Sequence, residues 1–393
     1  MKKKLLHTPE GVRDIYGNEY ENKLKVSNDI LELIKQYGYR SIETPTIEFF
    51  DIFSSRIGTI PSNELYKFFD KEGNTLVLRP DFTPSIARAT AKYFMDEHMP
   101  IRLCYMGNTF VNANDFQGKL KETTQIGAEL INDGSIEADV EILLMVIETM
   151  KKCGLEDFQV SIGNHEFFKG LCEEYGIDDD KELDLREMIN DKNIFGTMDI
   201  LDSLSLTDKG KDIFNKMPEM FGNIEKVEEA QSFVTNSRSL KALSRLKEIY
   251  ELLKLNGVEE YVSFDLGMLS KYNYYTGMIF RAYTYGSGDA IIKGGRYDNL
   301  LKEFGKDSEA VGFAIMLDQL LLALSRQKIT VKNDCLDTVL LVYGEEQISE
   351  AYKKAKELRN SGNACMMAKK ASLSLECDLV DFAKKNGYRL VEM

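Results

Sequence analysis

The chain has 393 residues, 43% of them hydrophobic and 29% charged, with a formal net charge of −14. That length exceeds one small domain and suits two or three. The acidic balance excludes a large non-specific nucleic-acid footprint, which needs a basic face, though not a local basic groove.

In chain order, Val26, Ile30, Leu33 and Tyr37 recur at helical spacing with Ile34 beside them, so the spacing predicts a helix over 20–38. YGYRSIETPTIE then reads as a strand, with Pro45 unsuited to a central ladder position. LYKFFDKEGNTLVLRPD reads as a hairpin around Glu-Gly-Asn, and FTPSIARATAKYFM as a helix with Pro84 near its start, where a missing N–H is harmless. Residues 102–131 read as two strands joined by a polar loop. GSIEADVEILLMVIETMKKCG is a helix ending at Gly154, and DFQVSIGN a strand. From about 165 to 252 the chain turns charged and helical, which suggests an inserted helical subdomain. Strand character returns at YVSFDLGM, YYTGMIFRAYTYGSG and AIIKGGRYDNLL, and AVGFAIMLDQLLLALSRQ reads as strand then helix. A first unit over 1–325 is expected, then QKITVKNDC as a linker and a small α/β unit at 336–393. Acidic and basic residues balance in that last unit, so the negative surplus lies before it. The hairpins and long strands with helices between them favour an α+β class: a largely antiparallel sheet with flanking helices.

The six cysteines (Cys104, Cys153, Cys172, Cys335, Cys365, Cys377) form no Cys-x-x-Cys pair, and the three histidines (His7, His98, His165) give no zinc-ligand spacing. No metal and no cofactor are expected, and reduced cytosolic thiols are. The start, MKKKLLHTPEG, lacks the apolar run of a signal peptide, and no run of about 18 apolar residues exists for a membrane span. A cytoplasmic protein without a membrane partner is expected.

LRPDFT places Arg79, Asp81 and Thr83 at alternate positions, hence on one face of a strand. Such a face normally points to water. TQIGAEL puts Gln125 and Glu129 on one face, with Gly127 between them leaving room for a ligand or another backbone. NYYTGMIF adds Tyr274 and Tyr275, otherwise an ordinary core strand. KGGRYD is either a plain turn or a Gly-rich approach to a ligand with Arg296 beside it. Each signal is weak by itself.

Their order is more specific. TPEGVRDI, YGYRSIETPTIE, LRPDFT, RLCYMGNTF…GKLKETTQIGAEL, YYTGMIF, GGRYDNLL and AVGFAIMLDQL together resemble the class II aminoacyl-tRNA synthetases, and histidyl-tRNA synthetase in particular, from about residue 8 to 325. The unit at 336–393 resembles a shortened anticodon-binding domain of that family. The resemblance implies that Asp81, Thr83, Gln125, Glu129, Tyr274 and Tyr275 form a histidine pocket. Carboxylates suit both an ammonium and an imidazole N–H, because both are donors. It also implies a homodimer paired near Pro45.

The departures from the family weigh against aminoacylation. The arginine and glutamate that end the first strand of the long hairpin are here Val111 and Ala113. The arginine of the histidine-specific motif is Ser270, followed by Lys271, and the arginine of the last motif is Gln319. Arginine grips phosphate by two parallel charge-assisted bonds that Val and Gln cannot imitate. Loss of one transition-state donor costs roughly 3–4 kcal/mol, or ~10²–10³ in rate. A pocket kept without its phosphate-holding arginines is similar to the regulatory subunits of ATP phosphoribosyltransferase, as is the Asp form of LRPDFT. That resemblance implies no catalysis in this chain. It implies a short catalytic partner in a hetero-oligomer, L-histidine as feedback effector, and a place at the first step of histidine biosynthesis. A divergent histidyl-tRNA synthetase, or another synthetase-like tRNA- or amino-acid-binding protein, is the alternative.

Overall fold

The computed structural model describes residues 6–53, 60–112, 120–204, 206–270, 274–332, 337–370 and 378–393. The chain divides into two compact units, Met1–Val331 and Lys332–Met393.

Helix α1 (Asn18–Gln36) buries Val26, Ile30, Leu33 and Ile34, the positions its periodicity selects. The stretch after it does not form one strand. It breaks into β1 (Arg40–Ser41) and β2 (Ile47–Phe49), which join different sheets. Pro45 lies in the break, where a residue without an N–H costs no ladder bond. The hairpin of β3 (Lys67–Phe69) and β4 (Thr75–Leu78) adds to β2 as a small antiparallel sheet of order β2-β4-β3. Helix α2 (Thr83–Tyr93) carries Pro84 in its first turn. The long hairpin is β5 (Ile101–Phe110) and β6 (Glu122–Ile131). Helix α3 (Ile136–Lys152) starts at Ser135, whose Oγ accepts from Ala138 N, and Gly154 follows it with φ 82°. After β7 (Phe158–Asn164), the insertion is helical: α4 (His165–Glu174), α5 (Asp179–Asn190), α6 (Ile194–Ser203), α7 (Asp208–Lys216), α8 (Ile224–Phe233) and α9 (Ser237–Leu255), with β8 reduced to Phe221–Gly222. Then come β9 (Val262–Asp265), β10 (Met278–Thr284), β11 (Ile292–Arg296), β12 (Ala310–Met316) and α10 (Leu317–Arg326).

The main sheet has nine strands in the order β1-β5-β6-β12-β11-β10-β7-β9-β8. Only β1–β5 and β7–β9 pair in parallel, so the α+β reading holds. Along β6, Ile126, Ala128 and Leu130 enter the core shared with Val26 and Ile30 of α1 and Leu143 of α3. Strand alternation therefore turns Gln125, Gly127 and Glu129 to the other face, away from α1 and α3. That face of β6, with β11 and β12, is where the site lies.

The second unit holds β13 (Thr338–Tyr343), α11 (Ile348–Asn360), β14 (Ala364–Lys369), α12 (Leu379–Asn386) and β15 (Arg389–Glu392), in a parallel sheet of order β14-β13-β15. Leu341 packs with Ala351 and Ala355 of α11 on one side, and Leu340 and Val342 with Ala383 of α12 on the other. The sequence reading has no strand at ACMMAK, the segment that forms β14. Among the described residues no helix is long and apolar enough to cross a membrane.

Candidate ligand-binding site

A cavity of about 200 Å³ lies on this face of the main sheet. It is smaller than the ~300–1,000 Å³ of sites for drug-sized ligands, so it suits one small metabolite. Its lining includes Asp81, Thr83, Gln125, Glu129, Tyr274 and Tyr275, all six residues singled out in the sequence.

Two of them arrive there differently from the sequence expectation. Strand β4 stops at Leu78, so Arg79, Asp81 and Thr83 do not share a strand face. Pro80 supplies no ladder N–H, and Thr83 is already the first residue of α2. Asp81 sits in the turn between them, where its Oδ1 accepts from Phe82 N at 2.7 Å. Arg79 points elsewhere. Its Nη1 donates to Thr44 O at 2.7 Å and its Nε to Asn108 O at 2.9 Å. The guanidinium lies 3.9 Å from the Phe82 ring centre, and Phe82 stacks on Tyr105 with centroids 4.3 Å apart. Arg79 thus fixes the loop that presents Asp81. A Cβ on Gly107 would lie 2.9 Å from Phe82 Cζ, so that close stack depends on the glycine.

Glu129 is the deepest group, 1% exposed. Its Oε1 accepts from Thr83 Oγ1 at 3.0 Å and its Oε2 from Tyr297 Oη at 2.6 Å. Burial pushes its carboxyl up to about 8, the nearby Asp81 adding to that, while the Tyr297 and Thr83 hydrogen bonds act the other way. Burial likewise pushes Asp81 up to about 6, against backbone N–H groups of Phe82 and Thr83. The carboxyl of Glu129 fits only because β12 has a glycine opposite it. Gly312 pairs with Glu129 across the ladder, and a Cβ there would overlap Oε2.

Gln125 is 8% exposed, and its side-chain oxygen has no hydrogen-bond partner. Its Nε2 reaches only Met316 Sδ, at 3.8 Å. The space at Gly127 is filled by Tyr105 Oη and the Phe313 carbonyl, so that glycine admits the protein's own atoms and no ligand. Tyr274, Tyr275 and Tyr297 form an aromatic wall. Tyr274 lies 4.7 Å from Tyr275 and 6.0 Å, edge-on, from Tyr297, centroid to centroid. A Cβ on Gly295 would lie 2.7 Å from Tyr275 Cε1, so the Gly-Gly of KGGRYD makes room for this ring.

Arg296 is not a ligand group. It is 3% exposed, and its Nε and Nη2 hold Asp139 Oδ1 at 2.9 and 2.6 Å. Its Nη1 donates to Asp133 O at 3.0 Å and meets Asp298 Oδ1 at 3.2 Å. Lys293, Gly294, Gly295 and Tyr297 of that motif line the cavity instead, and Tyr297 is not among the residues singled out in the sequence.

The positions where arginines were expected divide. Val111 lines the cavity. Ser270 is buried, and its carbonyl accepts from Arg186 Nη1 at 3.5 Å. Gln319 lies in the first turn of α10, outside the lining. Ala113 and Lys271 fall outside the described residues. The one cation among the described lining residues is Lys293, held by Asp289 at 2.9 Å. The arrangement offers carboxyl and amide oxygens to a ligand, with no bidentate phosphate grip among those residues.

This sheet and cavity define a class II aminoacyl-tRNA synthetase-like protein. The family model described as Histidyl-tRNA synthetase matches residues 11–320. A crystal structure of histidyl-tRNA synthetase from Nostoc has the same fold, with a TM-score of 0.81 at 19% identity over 99% of this chain and 92% of that one. Relatives bearing the name ATP phosphoribosyltransferase regulatory subunit are nearer in sequence. That of Acetivibrio thermocellus is 40% identical over 91% of this chain and 86% of its own length, and one from Clostridium botulinum 36% over 97% and 90%. A Bacillus halodurans structure described as an ATP phosphoribosyltransferase regulatory subunit/histidyl-tRNA synthetase superposes with a TM-score of 0.88 at 30% identity, covering 99% and 98% of the two chains. The chain belongs to this histidyl-tRNA synthetase-like family of ATP phosphoribosyltransferase regulatory subunits.

Proposed function

We propose that the cavity binds L-histidine, and that the chain uses it to impose feedback on a short catalytic ATP phosphoribosyltransferase in a hetero-oligomer. The partner joins ATP to phosphoribosyl pyrophosphate, the first step of histidine biosynthesis. This chain senses the end product and carries out no step itself. The observation that carries the reading is the small cavity with Glu129 and Asp81 as acceptors and an unpartnered Gln125 oxygen. An amino acid with an ammonium and an imidazole N–H supplies donors for such groups. Val111 faces the same space where an activating enzyme of the family has arginine, which argues against adenylate formation here. Histidine acts through different affinity for two arrangements of the complex, the only way a ligand shifts an equilibrium.

Pairing of two copies near Pro45 belongs to the same reading. In support, Ile47 and Phe49 of β2 and Phe69 of β3 expose their side chains on the small sheet. The acidic surplus argues against tRNA as a partner.

Reconstitution tests the proposal. The short catalytic subunit from the same source is assayed alone, with this chain, and with this chain plus histidine. Activation that histidine suppresses, and that Glu129→Ala makes insensitive to histidine, is the expected result. No change in rate or assembly, together with charging of histidine tRNA by the pure chain, would overturn it in favour of a synthetase.

A further inference from the structure

Behind the histidine cavity, on the helix-covered face of β5 and β6, lies a second cavity of about 390 Å³. Its lining includes Lys23, Asn108, Glu122, Thr124 and Asp318. These five form one connected network. Asn108 Nδ2 donates to Glu122 Oε1 at 2.7 Å, and Thr124 Oγ1 to Asn108 Oδ1 at 2.9 Å. Lys23 Nζ donates to Thr124 Oγ1 at 2.6 Å and lies 3.5 Å from Asp318 Oδ1. Asp318 Oδ2 accepts from the Thr124 backbone N–H at 2.8 Å.

The last contact replaces a strand. The ladder between β12 and β6 ends at Met316 opposite Gln125, and the chain then turns into α10. Thr124, one residue further along β6, has no β12 residue opposite it. The carboxylate of Asp318, in the first turn of α10, takes its N–H instead. Thr124 is 3% exposed, so that N–H without an acceptor would be a buried orphan. The residue held is the neighbour of Gln125, whose side chain enters the other cavity because successive side chains point to opposite faces. Gln125 makes no strong side-chain bond of its own, so its aim depends on the backbone that carries it.

We infer that Asp318, braced by Lys23, is a positioning residue for histidine recognition. It caps the open end of β6 from behind and so fixes Gln125. The inference rests on the histidine reading of the front cavity. It assigns a specificity role to a side chain that never touches the ligand.

The test uses the full chain with L-histidine as titrant in calorimetry. Asp318→Ala leaves the strand end to be ordered by the ligand, which weakens binding roughly tenfold. Asp318→Asn keeps an acceptor for Thr124 N–H and retains affinity within about twofold. A merely structural role would give no such rescue. In a Gln125→Ala background, Asp318→Ala costs nothing further, because the group it aims is gone. Additive losses, or an Asn variant as weak as the Ala variant, overturn the inference. Amide hydrogen exchange at Thr124 and Gln125 in the ligand-free chain separates it from the histidine reading. Exchange rises in Asp318→Ala and not in Asp318→Asn. Unchanged exchange sinks the inference whatever ligand the cavity takes, and faster exchange without histidine binding sinks only the ligand.

Discussion

Gly312 decides how deep the Glu129 carboxyl can sit, and alanine there is a direct test of the site. The glycine has no left-handed φ, so alanine fits the backbone. The new Cβ would overlap Glu129 Oε2 and would also lie 2.6 Å from the Ala128 carbonyl oxygen of β6. Either the carboxyl moves, breaking the 2.6 Å bond from Tyr297 and straining the 3.0 Å bond from Thr83, or β12 shifts away from β6. Overpacking costs about 1–3 kcal/mol and each lost hydrogen bond about 1 kcal/mol. Of this, ~2 kcal/mol should fall on histidine binding, because the displaced group is an acceptor the ligand needs, and that is roughly thirtyfold in Kd. Titration calorimetry reads the affinity, and thermal unfolding in parallel confirms the fold. Gly288→Ala is the control, since nothing lies within 4 Å of a Cβ at that position. In a Glu129→Ala background the loss from the Gly312 substitution should shrink to what the Ala128 carbonyl contact costs. A folded Gly312→Ala chain that binds histidine like the parent would refute the reasoning.

Three further outcomes are expected. The Glu129 carboxyl is raised from an ordinary value near 4.5 to about 8, so its contribution to stability is present below about 4.5 and lost as pH rises through about 8. Thermal unfolding of Glu129→Gln should therefore gain on the parent as pH rises across that window, and parallel pH profiles would contradict the burial argument. Arg296→Met leaves the fully buried Asp139 with only Arg245, whose Nε holds it at 2.7 Å, and should cost about 3 kcal/mol in urea denaturation. Phe49→Glu combined with Phe69→Glu should convert a dimer to a monomer in sedimentation velocity; a dimer that survives both places the pairing surface elsewhere.

The parts of the fold legible in the sequence were those with a long, regular signal. Helix α1, helix α3 and the β5–β6 hairpin follow from periodicity that local chemistry does not oppose. The YGYRSIETPTIE stretch reads as one strand, but it divides between two sheets with Pro45 in the break. LRPDFT failed for a related reason. Alternation of Arg79, Asp81 and Thr83 mimics a strand, while Pro80 and Pro84 favour a turn into a helix, and the turn wins. Arg296 drew notice over Tyr297 because a charge beside two glycines suggests a ligand. Its true partner, Asp139, is more than 150 residues earlier in the chain, a pairing no local pattern reveals. Gly312 did leave a trace, a glycine inside the apolar strand AVGFAIM, where a missing side chain often marks a close approach.

In the proposed role, the Glu129 carboxyl would meet histidine while already accepting from two hydroxyls and, below about pH 8, carrying its own proton. A bare carboxylate in the same place would clutch a cationic amino acid. This one would yield only part of its attraction, because each contact with histidine would displace a proton or share an oxygen already in use. Weak holding is an advantage in a gauge. A site that binds its metabolite too tightly stays full at every concentration and reports nothing. One that half-satisfies itself when empty can fill and drain as supply rises and falls.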